Sequence, residues 1–146
     1  MRIAAPACIL VLALAEPGYC QTDDEVAARL TPSVQTCEQA PENAGTFPQA
    51  LCYKDELTRQ DQQLNATWTQ VTNRLAAARM EKLRRGERQW IKERDATCER
   101  EATEYVNATK AYMYNVCMTN ETIRRIMWLE KVGASTRGAR EPLNPR

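Results

Sequence analysis

From Gln49 to Glu141 the chain contains no proline, and from Gln49 to Val132 its sole glycine is Gly86. A stretch of that length without helix breakers constrains the fold towards long helices with one strong interruption. Apolar residues Tyr53, Leu57, Leu64, Trp68, Val71 and Leu75 recur mostly at steps of three, four or seven, one stripe of a helix. The spacing predicts a long helix over Gln49 to Arg84, a break at Gly86, and a further helix over Glu87 to Tyr105. A turn at Val106 to Thr109 and a final helix over Lys110 to Lys131 complete the pattern. Val116, Ile123, Ile126 and Met127 of that last helix point inward, and Gly133 caps it.

Upstream, Thr22 to Glu25 fits a capping box ahead of a short helix over Asp23 to Leu30. Thr31-Pro32 starts a second helix with proline at its first position. That helix carries Cys37 and fades by Pro41, and Asn43 to Gly45 reads as a loop. Thr46 to Gln49 reads as another capping box. No strand series and no internal repeat is visible. The fold class is all-α: a disulfide-stapled helical bundle with one long helix and a C-terminal helical hairpin.

The first residues read as an export signal. Met1-Arg2 precedes the apolar run Ile3 to Ala15, which is too short for a stable membrane span, and Pro17-Gly18 breaks it. Cleavage after Ala15 fits an A-x-A pattern, and cleavage after Cys20 fits small residues at Gly18 and Cys20. Cysteine parity favours the second, because it leaves an even set: Cys37, Cys52, Cys98 and Cys117. Tyr19, where a small residue is expected, speaks against a lipid anchor on Cys20. The domain plan is a signal peptide over 1–20, a helical domain over 21–132 and a disordered tail over 133–146, which has no apolar stripe. The exported chain is expected in the periplasm or outside the cell.

Four cysteines in an exported chain argue for two disulfides rather than four free thiols. Cys98 and Cys117 lie symmetrically about Asn107-Ala108, so an antiparallel hairpin brings them to one level. Cys37–Cys52 then ties the N-terminal segment to the start of the long helix.

The chain has no histidine among its 146 residues, which removes His-based acid–base chemistry and most zinc sites. It has no C-x2-C spacing, no paired acids, no glycine loop and no unpaired cysteine nucleophile, so neither an enzyme nor a cofactor is expected. Charge is uneven: residues 21–61 carry eight acids against three bases, and residues 74–95 carry eight bases against four acids. The basic stretch has interleaved acids and reads as a solvated face, so no nucleic acid is expected. Three N-x-T triplets, at Asn65, Asn107 and Asn120, matter only in a source that glycosylates them.

Two stretches carry unusual residues. Trp90, Arg94 and Cys98 line one helical stripe at i, i+4, i+8. In the hairpin Arg94 faces Glu121, with Glu93 and Asp95 beside it. The bland reading is a paired arginine that fixes helix register; the functional one is an exposed arginine that contacts a partner protein. Asp61 and Asn65 share a face beside Leu64 and Trp68. By helix levels Asn65 falls near the Asn107 turn, where these polar groups would satisfy backbone groups.

The runs "LCYKDELTRQDQQLNATW", "RQWIKERDATC" and "CMTNETIRR" together resemble the lysozyme inhibitor LprI N-terminal domain family of small exported bacterial domains. The matching positions are Cys52, Glu56, Leu57, Asp61, Leu64, Asn65, Trp90, Ile91, Arg94, Asp95, Cys98, Cys117, Thr122 and Arg125. Trp68 replaces the usual tyrosine, and Glu87 stands where the pattern has glutamine. The helix after Cys98 lacks the glycines often found in relatives. The resemblance spans about Cys37 to Leu129. It implies a helical, disulfide-stapled exported domain and, beyond that, inhibition of lysozyme.

The expected function is therefore an exported protein-binding domain that inhibits a lysozyme-type muramidase. The alternative is an envelope structural or adaptor domain without an enzyme target. Asp61, Leu64, Asn65, Trp90, Arg94, Asp95, Thr122 and Arg125 are motif residues expected in structural roles. Many lysozymes are cationic, so the acidic segment Asp23 to Asp61, with Asp55 and Glu56, is the expected steering surface for a protein partner.

Overall fold

A computed structural model describes residues 21–138, with side chains described through residue 135. The expected signal peptide, 1–20, and the end of the expected tail, 139–146, lie outside the described residues. Five α-helices follow in order, with no strand among the described residues: α1 Asp23–Ala27, α2 Pro32–Gln39, α3 Thr46–Thr72, α4 Ala77–Ala102 and α5 Asn107–Gly138. A 3-10 turn, Pro41–Asn43, joins α2 to α3.

Local chemistry sets the first starts. The Thr22 hydroxyl accepts from the Glu25 N–H at 3.2 Å, and the Glu25 carboxylate accepts from the Thr22 N–H at 2.8 Å, a complete capping box. Pro32 opens α2 at its first turn, as expected. The third start differs from the sequence expectation. Thr46 is the first helical residue rather than a cap. Gly45 precedes it at φ 129°, a backbone conformation that disfavours a side chain.

The long-helix boundary is also corrected. The break falls at 73–76, and α4 runs straight through Gly86. At the end of α3 the Thr69 and Thr72 hydroxyls donate to the carbonyls of Asn65 and Trp68, each at 2.9 Å. Such back-bonding competes with the helical ladder. The chain then tightens, with Leu75 N–H on the Thr72 carbonyl at 3.1 Å. This reversal lets Leu75 pack against the core. Gly86 costs α4 about 1 kcal/mol relative to alanine. Leu83 and Trp90, packed on either side of it, keep the helix continuous.

The second turn also comes earlier than expected, at 103–106. Asn107, the first residue of α5, adopts φ 54°, a left-handed conformation that asparagine tolerates better than most residues. α5 then passes Gly133 and is helical to Gly138, the last described residue, so Gly133 is not a cap and the expected tail begins as helix. A Cβ on Gly133 would stand 3.0 Å from Val71 Cγ2, so glycine there permits close approach of α5 to α3.

α5 lies between its neighbours, parallel to α3 and antiparallel to α4. The Asn115 side chain donates to the Ala50 carbonyl at 2.9 Å, which sets the level of α5 against α3. Cys98–Cys117, with Cα atoms 5.5 Å apart, sets its level against α4. Cys37–Cys52, at 5.8 Å, holds α2 to α3. Both pairings are the expected ones: Cys98–Cys117 staples the hairpin, and Cys37–Cys52 ties the N-terminal segment to the long helix. The core consists of Leu64, Val71, Leu83, Ile126 and Leu129, flanked by Trp68, Leu75, Trp90 and Val132. A second cluster packs Val26 of α1 onto Ile123 and Met127 of α5.

Candidate functional site

The residues singled out in the sequence fall into three places. The first is a clasp where α3, α4 and α5 meet. Arg94 of α4 is only 11% exposed in its side chain. Its Nε donates to Asp95 Oδ1 at 2.9 Å and its Nη1 to Thr122 Oγ1 at 3.2 Å, and Asp61 Oδ1 lies 3.6 Å away. Thr122 in turn donates to the Met118 carbonyl at 2.8 Å. One turn away, Arg125 of α5 pairs with Glu87 of α4 at 2.7 Å. Trp90 is flanked by both guanidiniums, Arg94 at 5.0 Å and Arg125 at 5.1 Å from its ring centre. Leu64 lies in the core beside this ring.

The expected Arg94–Glu121 pairing is corrected: Glu121 pairs with Arg124 at 3.3 Å. The two positions differ by one residue on α5, and one residue is a rotation of about 100° around the helix. Burial pushes the Asp61 carboxyl above its ordinary value; Arg94 pulls it back and Asp95 raises it again. Arg94→Ala would leave Thr122 and two carboxylates without their shared donor. The expected loss is about 2–4 kcal/mol of unfolding free energy. Arg94→Lys should restore at most part of it, because a compact ammonium lacks the planar fork that reaches acceptors on three helices at once. Urea titration of both variants checks this. An unchanged midpoint for Arg94→Ala would rule out a clasp.

Asn65 does not join this group. It is exposed on α3, far from the Asn107 turn. Moving the break from Gly86 to 73–76 lengthens the descent along α4, so the turn meets α3 near its start instead of at Asn65.

The second place is a buried carboxylate. Glu56, expected on the steering surface, is fully buried, which removes it from that role. It accepts from the Thr31 N–H at 2.8 Å, the Thr31 hydroxyl, Gln60 Nε2 at 2.8 Å and Arg59 Nε at 2.9 Å. Burial alone would raise its pKa. The donors of Thr31, Gln60 and Arg59 outweigh burial and leave the carboxyl below its ordinary value. Gln60 also donates to the Arg29 carbonyl at 3.1 Å, so this one carboxylate organises the α1–α2 corner on α3.

The third place is the end of the bundle where α3 and α5 begin and α4 finishes. Four apolar side chains there face solvent: Phe47 (62% exposed), Leu51, Tyr105 and Val106 (74%). The segments that meet at this end carry Glu38 and Glu42 on the α2 side and Glu101 and Glu104 at the end of α4, and exposed Asp55 lies about two turns further along α3 than Phe47. A groove of about 300 Å³ runs between α4 and α5 here, lined by Glu101, Glu104, Tyr105, Met113 and Val116 among others. Glu121 lies close enough to feel Glu101. Burial, opposed by Arg124 and reinforced by Glu101, raises its pKa. Behind this end Tyr53 and Tyr112 pack edge to face at 5.5 Å, and burial first, then Glu38, pushes the Tyr53 phenol up to about 12. Sequence reasoning missed this end. The Phe47–Leu51 step of four was a signal, but without the turn position nothing brought Tyr105 and Val106 to the same end.

Among the described residues no three His, Cys, Asp or Glu side chains gather as a metal site, and no helix is long and apolar enough to cross a membrane. The family model described as Lysozyme inhibitor LprI matches residues 37–129, which include all four disulfide cysteines, Glu56 and the clasp. No curated protein and no solved structure matches the chain.

Proposed function

We propose, from the premise that this chain belongs to the lysozyme inhibitor LprI family, that it is an exported domain that binds and inhibits a lysozyme-type muramidase. The observation that carries the reading is the family match over residues 37–129, which takes in α3, α4 and most of α5. The acidic, apolar-tipped end supports it physically. Exposed aromatic and aliphatic side chains at an end that also carries carboxylates suit a cationic protein surface, with the apolar tip for contact and the acids for steering. Two disulfides suit an oxidising compartment, periplasmic or extracellular.

The test is clearing of a bacterial cell-wall suspension by a c-type lysozyme in the presence of the oxidised chain over 21–146. Dose-dependent inhibition is expected. Asp55→Asn/Glu101→Gln/Glu104→Gln should slow association about tenfold at low ionic strength, and the difference should shrink as salt rises. An oxidised, helical chain without inhibition would set this reading aside and shift weight to an envelope adaptor.

A further inference from the structure

The opposite end of the bundle has a different chemistry. Residues 74–88, which form the α3–α4 turn and the first half of α4, carry Arg74, Arg79, Lys82, Arg84, Arg85 and Arg88 against Glu81 and Glu87. Glu81 is shared by Arg84, Arg85 and Arg88 at 3.4, 3.6 and 3.9 Å, and Glu87 is taken by Arg125. Among the described residues, no carboxylate pairs with Arg79 or Lys82. Those two line a groove of about 400 Å³ between α4 and the end of α5. Its floor is apolar: Leu75, Leu83, Val132 and Trp128. Trp128 is 36% exposed, and the Arg125 guanidinium lies 4.0 Å over its ring. Gly86 leaves the groove open on the α4 side, because a Cβ there would meet nothing within 4 Å.

We infer that this basic, tryptophan-floored end docks on an anionic phospholipid surface, with Arg79 and Lys82 on headgroup phosphates and Trp128 at the interface. Charge complementarity names the partner. Adjacent bases on one helix edge meet a plane of phosphates, and a partly exposed indole beside apolar Leu75, Leu83 and Val132 is the side chain that favours the headgroup layer. A soluble polyanion would explain the bases but gives the apolar floor nothing to contact. α3 alone, at 27 residues, is about 40 Å long, several Debye lengths at physiological salt. The basic end and the acidic end therefore act on separate partners, and a chain held at a membrane by one end would present the other outward.

The experiment is co-sedimentation of the oxidised chain over 21–146 with vesicles of about one-third phosphatidylglycerol in phosphatidylcholine, against pure phosphatidylcholine. Binding to the anionic vesicles, little to the neutral ones, and release as salt approaches about 0.5 M are expected. Each basic contact is worth about fivefold in partitioning, so Arg79→Gln/Lys82→Gln should weaken binding about 25-fold. Trp128→Ala should weaken it further and abolish a blue shift of fluorescence on vesicle addition. Both changes are at surface positions, and circular dichroism verifies the fold. Equal binding to both vesicle types, or undiminished binding by the double glutamine variant, would overturn the inference. So would displacement by inorganic phosphate at constant ionic strength, which would mark a simple anion pocket. Vesicle binding needs no muramidase, and the double variant should inhibit one in solution as well as the parent does. Failure of either proposal is thus read separately.

Discussion

Reduction of Cys37–Cys52 and Cys98–Cys117 should unfold most of the domain at 37 °C. The bridges close sequence separations of 15 and 19 residues. In the chain-entropy account each is worth about 3 kcal/mol, so together about 6 kcal/mol. A domain of this size is stable by about 5–15 kcal/mol in total. The two bridges differ in what they hold. Cys98–Cys117 joins α4 to α5 inside the three-helix body, and its loss should lower the melting temperature by about 10 °C. Cys37–Cys52 joins α2 to α3 at the periphery. Its loss should fray residues 22–44 before the body melts, which hydrogen exchange would resolve as earlier opening of α1 and α2. A reduced chain with the same melting temperature as the oxidised one would refute both estimates.

Glu56→Gln should destabilise the domain by about 2–4 kcal/mol although it changes a single atom type. The carboxylate accepts from four donors on Thr31, Arg59 and Gln60. An amide turns half of that acceptor into a further donor and leaves at least one buried N–H or O–H without a partner. The effect should be localised: the α1–α2 corner loosens while the α3–α4–α5 body persists. The pH dependence follows from the direction of the shift. The folded pKa of Glu56 lies below its ordinary value of 4.5, so the unfolded chain binds its proton more readily. The stabilisation is fully present above about pH 4.5 and is lost as pH falls through the lower folded value. Asp61 and Glu121 act in the opposite sense, because burial raises both. Their folded forms take up protons first, so mild acidification favours the fold through these two before Glu56 titrates. Urea titrations at pH 7, 5 and 3 should therefore show an acid decline in the parent that is shallower in Glu56→Gln. Equal slopes would mean Glu56 is not the group that acid attacks.

Much of the architecture was legible in the chain. Thr22 and Glu25 announce α1, and Pro32 announces α2, because capping depends on residues within one turn. The absence of proline from Gln49 to Glu141 and the steps of seven, four and three between Leu57, Leu64, Trp68 and Val71 specify helix, since backbone periodicity is local. The symmetric placing of Cys98 and Cys117 about the turn region specifies the hairpin staple, since a helix has a constant rise.

The remaining features depend on which levels of which helices meet. Gly86 was the obvious breaker, yet the break fell at 73–76, where Leu75 could reach the core and threonine hydroxyls had weakened the ladder. That shift moved the second turn away from Asn65. Arg94 found Thr122 instead of Glu121 because a contact across helices is sensitive to a single residue of rotation. Glu56 looked like one more acid in an acidic segment. Only the fold of the α1–α2 corner over α3 buried it, and burial among four donors is a property of neighbours, not of neighbouring sequence. The separation of an acidic, apolar-tipped end from a basic, tryptophan-floored end has the same origin. Sequence order determined the helical class, the caps and the staples, because each rests on local spacing. Tertiary structure alone decided which carboxylates are surface and which are scaffold, because burial is set by packing between segments that the chain brings together from far apart.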